Sequence, residues 1–71
     1  MLDYETNDLI NWILDSGIYQ NKIMKSLKKG FNNFVEVVKI VIKKINNEYG
    51  FLNFKINQID LKSMFNYFVN Y

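Results

Sequence analysis

Cysteine, histidine, arginine, proline and alanine are all missing from this chain of 71 residues, and glycine occurs three times. Without Cys there is no disulfide staple and no thiolate to bind zinc or act as a nucleophile. Without His there is no imidazole to ligate a metal or carry a proton near neutral pH. Disulfide scaffold, zinc finger and catalytic triad are therefore excluded together. The lack of Arg removes the guanidinium fork that makes the commonest bidentate contact to guanine, for which Lys substitutes only in part. Long apolar runs are lacking too: the longest, such as Ile40 to Ile42, fall far short of the ~20 residues of a membrane span. No membrane partner is expected.

What is present is half hydrophobic (49%) with many aromatics (17%), enough for a compact core in one domain. Eleven Asn and nine each of Lys and Ile point to AT-rich coding, as in an AT-rich microbe, a phage or another mobile element. Met1 to Tyr19 carries four acids and no basic residue, the reverse of a secretory leader, so a cytoplasmic protein is expected.

Glycines at 17, 30 and 50 each follow a stretch of helical spacing and are expected to mark helix stops. A first helix over about Thr6 to Ser16 places Leu9, Ile10 and Ile13 on one face, with Trp12 and Leu14 at its margins. A second, about Tyr19 to Lys29, turns Tyr19, Ile23, Ser26 and Leu27 one way and Asn21, Lys22, Lys25, Lys28 and Lys29 the other. A third, about Asn33 to Asn47, is rich in β-branched residues, but alternation leaves a charge on both faces of a strand. On a helix, Phe34, Val35, Val37, Val38, Val41, Ile42 and Ile45 form one stripe and only Ile40 falls among the charges. Residues 51–57 alternate and suggest an extended connection. A last helix over 58–70 buries Leu61, Met64, Phe65 and Phe68, with Asn57 as its expected N-cap. The expected fold is all-α: a single domain with a three-helix bundle over about 6–47, extended by a C-terminal helix.

The chemistry of the seven acids points away from an enzyme. Asp3, Glu5, Asp8, Asp15, Glu36, Glu48 and Asp60 provide no pair on an apolar helix face at the spacing of a buried catalytic dyad. Asp3, Glu5 and Asn7 imitate the start of a calcium loop, but the twelfth position is Leu14 instead of Glu. There is no phosphate-binding glycine loop. No catalytic residue, cofactor or metal is expected.

The formal charge of +2 conceals a strong asymmetry. Residues 1–20 carry four acids and no Lys, whereas residues 21–44 carry seven Lys and only Glu36. Such a basic region suits nucleic acid or an acidic protein. The run Gly17-Ile18-Tyr19-Gln20-Asn21-Lys22-Ile23-Met24-Lys25 resembles the turn and recognition helix of helix-turn-helix regulators. That resemblance implies Gln20 and Asn21 at adenine, with Lys22, Lys25, Lys28 and Lys29 near phosphates. Upstream, Ile13 and Ser16 depart from the small and apolar residues of that family.

A longer stretch resembles the ubiquitin-associated (UBA) domain and its relatives, including the N-terminal domain of elongation factor Ts. It is carried by Ile10, Ile13, Ser16-Gly17-Ile18, Ser26-Leu27, Asn32-Asn33, Val37-Val38 and Val41-Ile42, over about residues 9–43. The resemblance implies a three-helix bundle. The family's ubiquitin-binding patch would map to Ser16, Gly17, Ile18, Val41 and Ile42, with Ser16 replacing the family's Met.

Ile40 is the position most suggestive of an interface, since it projects among Glu36, Lys39, Lys43 and Lys44. Phe51, Tyr67 and Tyr71, with Phe31 and Trp12, exceed what a small core is expected to hide. Exposed apolar residues beside lysines are typical of protein-binding patches. The leading expectation is a non-enzymatic protein-binding module, an adaptor or inhibitor, using Trp12, Ile18, Ile40, Lys43 and Lys44. The alternative is a DNA-binding regulator using the second helix.

Overall fold

The computed structural model describes residues 2–71. It contains four α-helices, α1 (Tyr4–Leu14), α2 (Gly17–Leu27), α3 (Phe31–Glu48) and α4 (Leu61–Val69), with a single 3-10 turn at Ile56–Gln58 before α4. Among the described residues there is no strand, and no helix is long and apolar enough to cross a membrane. The fold is all-α, a small bundle in which α2 lies against α1, α3 and α4.

Each helix start has a local cause. Asp3 accepts a hydrogen bond from the Thr6 backbone N–H at 2.8 Å, and Ser16 accepts one from Tyr19 at 3.2 Å. Both satisfy amide donors that the first helical turn leaves without partners. Gly30 starts α3 at φ 101°, a left-handed conformation that L side chains resist, so α2 and α3 meet in a sharp reversal. Asp60 caps α4, accepting from the Ser63 backbone N–H at 3.1 Å and the Ser63 hydroxyl at 2.8 Å.

The core is built from Leu9, Ile10 and Ile13 of α1, Ile23 of α2, and Phe34, Val38, Val41, Ile42 and Ile45 of α3. Met64 and Phe68 of α4, with Ile59 just before it, close the bundle. Phe65 stands edge-on to both Phe31 and Phe34, with centroids 5.4 and 5.1 Å apart, and so fastens α4 to the start of α3.

Two side chains hold the irregular segments. Asn46 accepts from the Phe54 backbone N–H and donates to the Phe54 carbonyl, both at 2.9 Å, pairing with the connection as a neighbouring strand would. Thr6, fully buried, accepts at its hydroxyl oxygen from the Asp60 backbone N–H at 2.9 Å, joining α1 to the entry of α4.

The expected elements are present, but several details differ. The first three helices begin about two residues earlier than their spacing suggested, because the caps are Asp3, Ser16 and Gly30. Gly17 opens α2 and does not end α1, and Gly30 is the sole glycine with positive φ among the described residues. Asp60, not Asn57, caps the last helix, which starts at Leu61, and residues 56–58 form the 3-10 turn instead of continuing the extended connection. Val35 and Val37 are half-buried, flanking the buried stripe of α3.

Two stability predictions follow from the polar contacts. Asn46→Ala removes two hydrogen bonds and is expected to cost about 1–2 kcal/mol in urea denaturation. The same variant should speed hydrogen exchange at Phe54, whereas Asn47→Ala, at an exposed position, should do neither. The Ser63 backbone N–H, then its hydroxyl, holds the Asp60 carboxyl below its ordinary value of 3.8. The stability this contributes is complete above that value and is lost as pH falls through the lowered one. Asp60→Asn keeps an N-cap acceptor and should therefore flatten the acid limb of the melting temperature below about pH 4, while Asp60→Ala should lower melting at neutral pH.

Candidate interaction surface

Helices α2 and α3 form an antiparallel hairpin about Gly30. Their outward edges enclose a groove of about 220 Å³ lined by Lys22, Lys25, Ser26 and Lys29 from α2 and its C-terminal turn, and by Asn33, Val37 and Ile40 from α3. The spacing explains the lining. Residues 22, 25, 26 and 29 recur at three and four, as do 33, 37 and 40, so each set occupies one helix edge. Ser26 lines the base of the groove: it is buried, and its hydroxyl donates to the Ile23 carbonyl at 2.6 Å, so no buried side-chain polar atom is left unsatisfied beneath the lysines.

The groove is apolar at its base and basic at its rim. Ile40 is 53% exposed and supplies its largest aliphatic surface. No carboxylate lines it. Among the described residues the one salt bridge is Lys39 to Glu36 at 3.2 Å, on the outer face of α3. The acids of α1 therefore leave Lys22, Lys25 and Lys29 uncompensated.

At the other end of the hairpin, Tyr19 lies half-buried. Burial raises the pKa of its hydroxyl, with Glu48 and Tyr49 adding to the effect. Their influence on Tyr19 agrees with an antiparallel hairpin, in which the start of α2 lies toward the end of α3. Ile18, 70% exposed, shares the helix edge of Lys22, Lys25 and Lys29, and Lys44 continues the edge of Asn33, Val37 and Ile40 by one turn. Residues anticipated for two separate sites thus share one face: Ile18, Ile40 and Lys44 with Lys22, Lys25 and Lys29.

Other anticipated residues lie elsewhere. Gln20 is half-buried and donates toward the Tyr71 hydroxyl at 3.5 Å, away from the lysines. Asn21, Lys28 and Lys43 are exposed but do not line the groove. Trp12 is half-buried against Tyr49 and Phe51, at centroid distances of 4.5 and 6.1 Å, and the exposed part of that cluster is Phe51 together with Tyr49. Phe31 and Tyr67 also pack on the core, so the aromatic surplus is smaller than expected and consists mainly of Tyr4, Phe51 and Tyr71. Of the residues that the UBA resemblance pointed to, Val41 and Ile42 are buried in the core, while Ile18 is exposed.

Sequence spacing does not single out Val37 or Asn33 as groove residues. Val37 reads as core because it flanks an apolar stripe, but it is half-buried and lines the groove; Ser26 is buried, as its inward spacing implies, and forms the groove's base. A broader, shallower depression of about 560 Å³ lies along α4, lined by Leu2, Ser63, Asn66, Tyr67, Asn70 and Tyr71, without a Lys, Asp or Glu side chain. Among the described residues no group of three metal-ligating side chains converges. Comparison with known protein families, curated proteins and solved structures finds no match for this chain.

The lysine edge has a thermodynamic signature. Lys22 and Lys25 are three residues apart on α2 with no ion pair to offset their repulsion. Lys22→Glu converts this into an attractive pair and should raise stability by about 0.2–0.5 kcal/mol at low salt. The gain should vanish near 1 M salt, where the screening length is about 3 Å. A loss of stability in urea denaturation would instead assign Lys22 a structural role.

Proposed function

We propose that this chain is a non-enzymatic protein-binding module that acts by stoichiometric contact, as an adaptor or inhibitor, through the α2–α3 face. The observation that carries this reading is the aliphatic floor, exposed Ile40 beside half-buried Val37, flanked by lysines that have no internal carboxylate partner. Maintaining such a face costs self-repulsion and exposed apolar surface, both of which a protein partner would relieve. A gene of a phage or other mobile element fits the composition and small size, and a UBA-like ancestry fits the order of the first three helices.

The DNA-binding alternative draws on the same lysines but is less well supported. Gln20 is directed toward Tyr71, and α2 is flanked by three helices, leaving only one edge to enter a major groove. Phosphates on this face would also meet Ile18, Val37 and Ile40.

Capture from the native host's lysate, with and without nuclease, tests the reading. Wild type should retain a protein in stoichiometric amount after nuclease, and Ile40→Asp should lose it, while Phe51→Ser, outside the groove, should keep it. Retention of nucleic acid alone, or a bound protein unchanged by Ile40→Asp, would refute it.

A further inference from the structure

The groove also restricts what kind of protein segment fits, an inference that rests on the protein-binding reading above. We propose that its occupant is an acidic amphipathic helix of a partner protein, laid along the α2–α3 hairpin.

Charge complementarity is the first argument. Lys22, Lys25 and Lys29 stand along one wall, Lys44 continues the opposite edge, and no acid lies among the lining residues. A partner bearing Lys or Arg opposite these exposed ammonium groups would be repelled, whereas one bearing carboxylates would be steered to the groove and held in register. The floor supplies the second. Val37 and Ile40 call for aliphatic or aromatic anchors, and the groove contains no aromatic ring on which a nucleobase could stack. Secondary structure supplies the third. An extended peptide gains affinity by adding to a sheet edge, and the described residues offer no strand; the backbones of α2 and α3 are already paired internally. Two helix edges side by side instead form the cradle for a third helix.

The dimensions set the occupant's size. Ile18 to Leu27 spans nine helical steps, about 14 Å at 1.5 Å per residue, and the turn bearing Lys29 lengthens the face to about three turns of a partner. Its anchors would recur at three and four residues to meet Val37, Ile40 and Ile18. Its Asp or Glu residues would flank that stripe and reach the lysines on both sides.

Fluorescence anisotropy with labelled synthetic peptides tests the proposal. The probe is a helix-forming peptide of about four turns, with Leu and Phe on one face and Glu on its flanks. Three comparison ligands accompany it: the same composition with scrambled order, the same apolar face with Lys for Glu, and a short DNA duplex. The acidic amphipathic peptide should bind at least about tenfold more tightly than any of them, the difference narrowing with salt. Ile40→Asp should weaken it about tenfold. The double variant Lys22→Glu/Lys25→Glu should lose the acidic peptide and gain the Lys peptide, a gain that an unfolded protein could not show.

Equal binding of the scrambled peptide would overturn the proposal, and so would tighter binding of DNA. Salt-sensitive self-association of the chain without peptide, abolished by Ile40→Asp, would place a second copy in the groove and overturn it as well. If the peptides fail while host capture still depends on Ile40, the acidic helix is wrong and the protein-binding surface stands. If both fail, the surface itself is wrong.

Discussion

Helix α2 has to satisfy three neighbours with eleven residues, and that crowding determines most of what the molecule presents to its surroundings. Ile23 is buried outright, while Tyr19, Met24 and Leu27 are half-buried around it against the core. With the other sides engaged, one edge is left to water, and it is there that Ile18, Lys22, Lys25 and Lys29 fall. Ser26 mediates between the two environments. It is buried at the base of the groove, and its hydroxyl is returned to the Ile23 carbonyl of its own helix, so a polar side chain is accommodated there without an unpaired donor. Core packing and the basic groove are thus two consequences of the same residue spacing.

The half of the molecule after α3 is held by a different physical principle. Its connection lacks a regular hydrogen-bond ladder, so its backbone groups must find partners one by one. Asn46 supplies two of them at Phe54, and Thr6 supplies another at Asp60. Because the Asp60 backbone is held by Thr6 while its carboxylate caps α4, the beginning of the last helix is fixed from both sides before Met64 and Phe68 enter the core. A chain without disulfides or prolines thereby restrains a long connection with two uncharged side chains.

Helical periodicity made the framework legible. The stripes containing Leu9, Ile10 and Ile13, then Ile23, then Phe34, Val38, Val41 and Ile45, then Met64 and Phe68 are all buried, because burial on a helix follows a local repeat of 3.6 residues. Ile40 was legible as exposed for the same reason. Helix starts are less legible, since a glycine at 17 suggests a helix stop, whereas Ser16 caps α2 by accepting from the Tyr19 backbone N–H three residues on. Thr6 and Asn46 escaped notice because their partners lie 54 and 8 residues away, and no local pattern encodes such pairings. The groove was half legible: its lysines and Ile40 were recognised, but on separate helices and for separate tasks. Only the Gly30 reversal brings them onto one face.

The lysine rim also governs how this chain behaves toward copies of itself. An open strip containing Ile18, Val37 and Ile40 would ordinarily invite two molecules to pair face to face. A two-fold arrangement is self-complementary, so each ammonium group near the axis would meet its own image. The resulting repulsion opposes the symmetric dimer while leaving the apolar floor available to a carboxylate-bearing surface. The uncompensated lysines would therefore disfavour symmetric pairing through this face, a limit on self-association set by charge and not by shape.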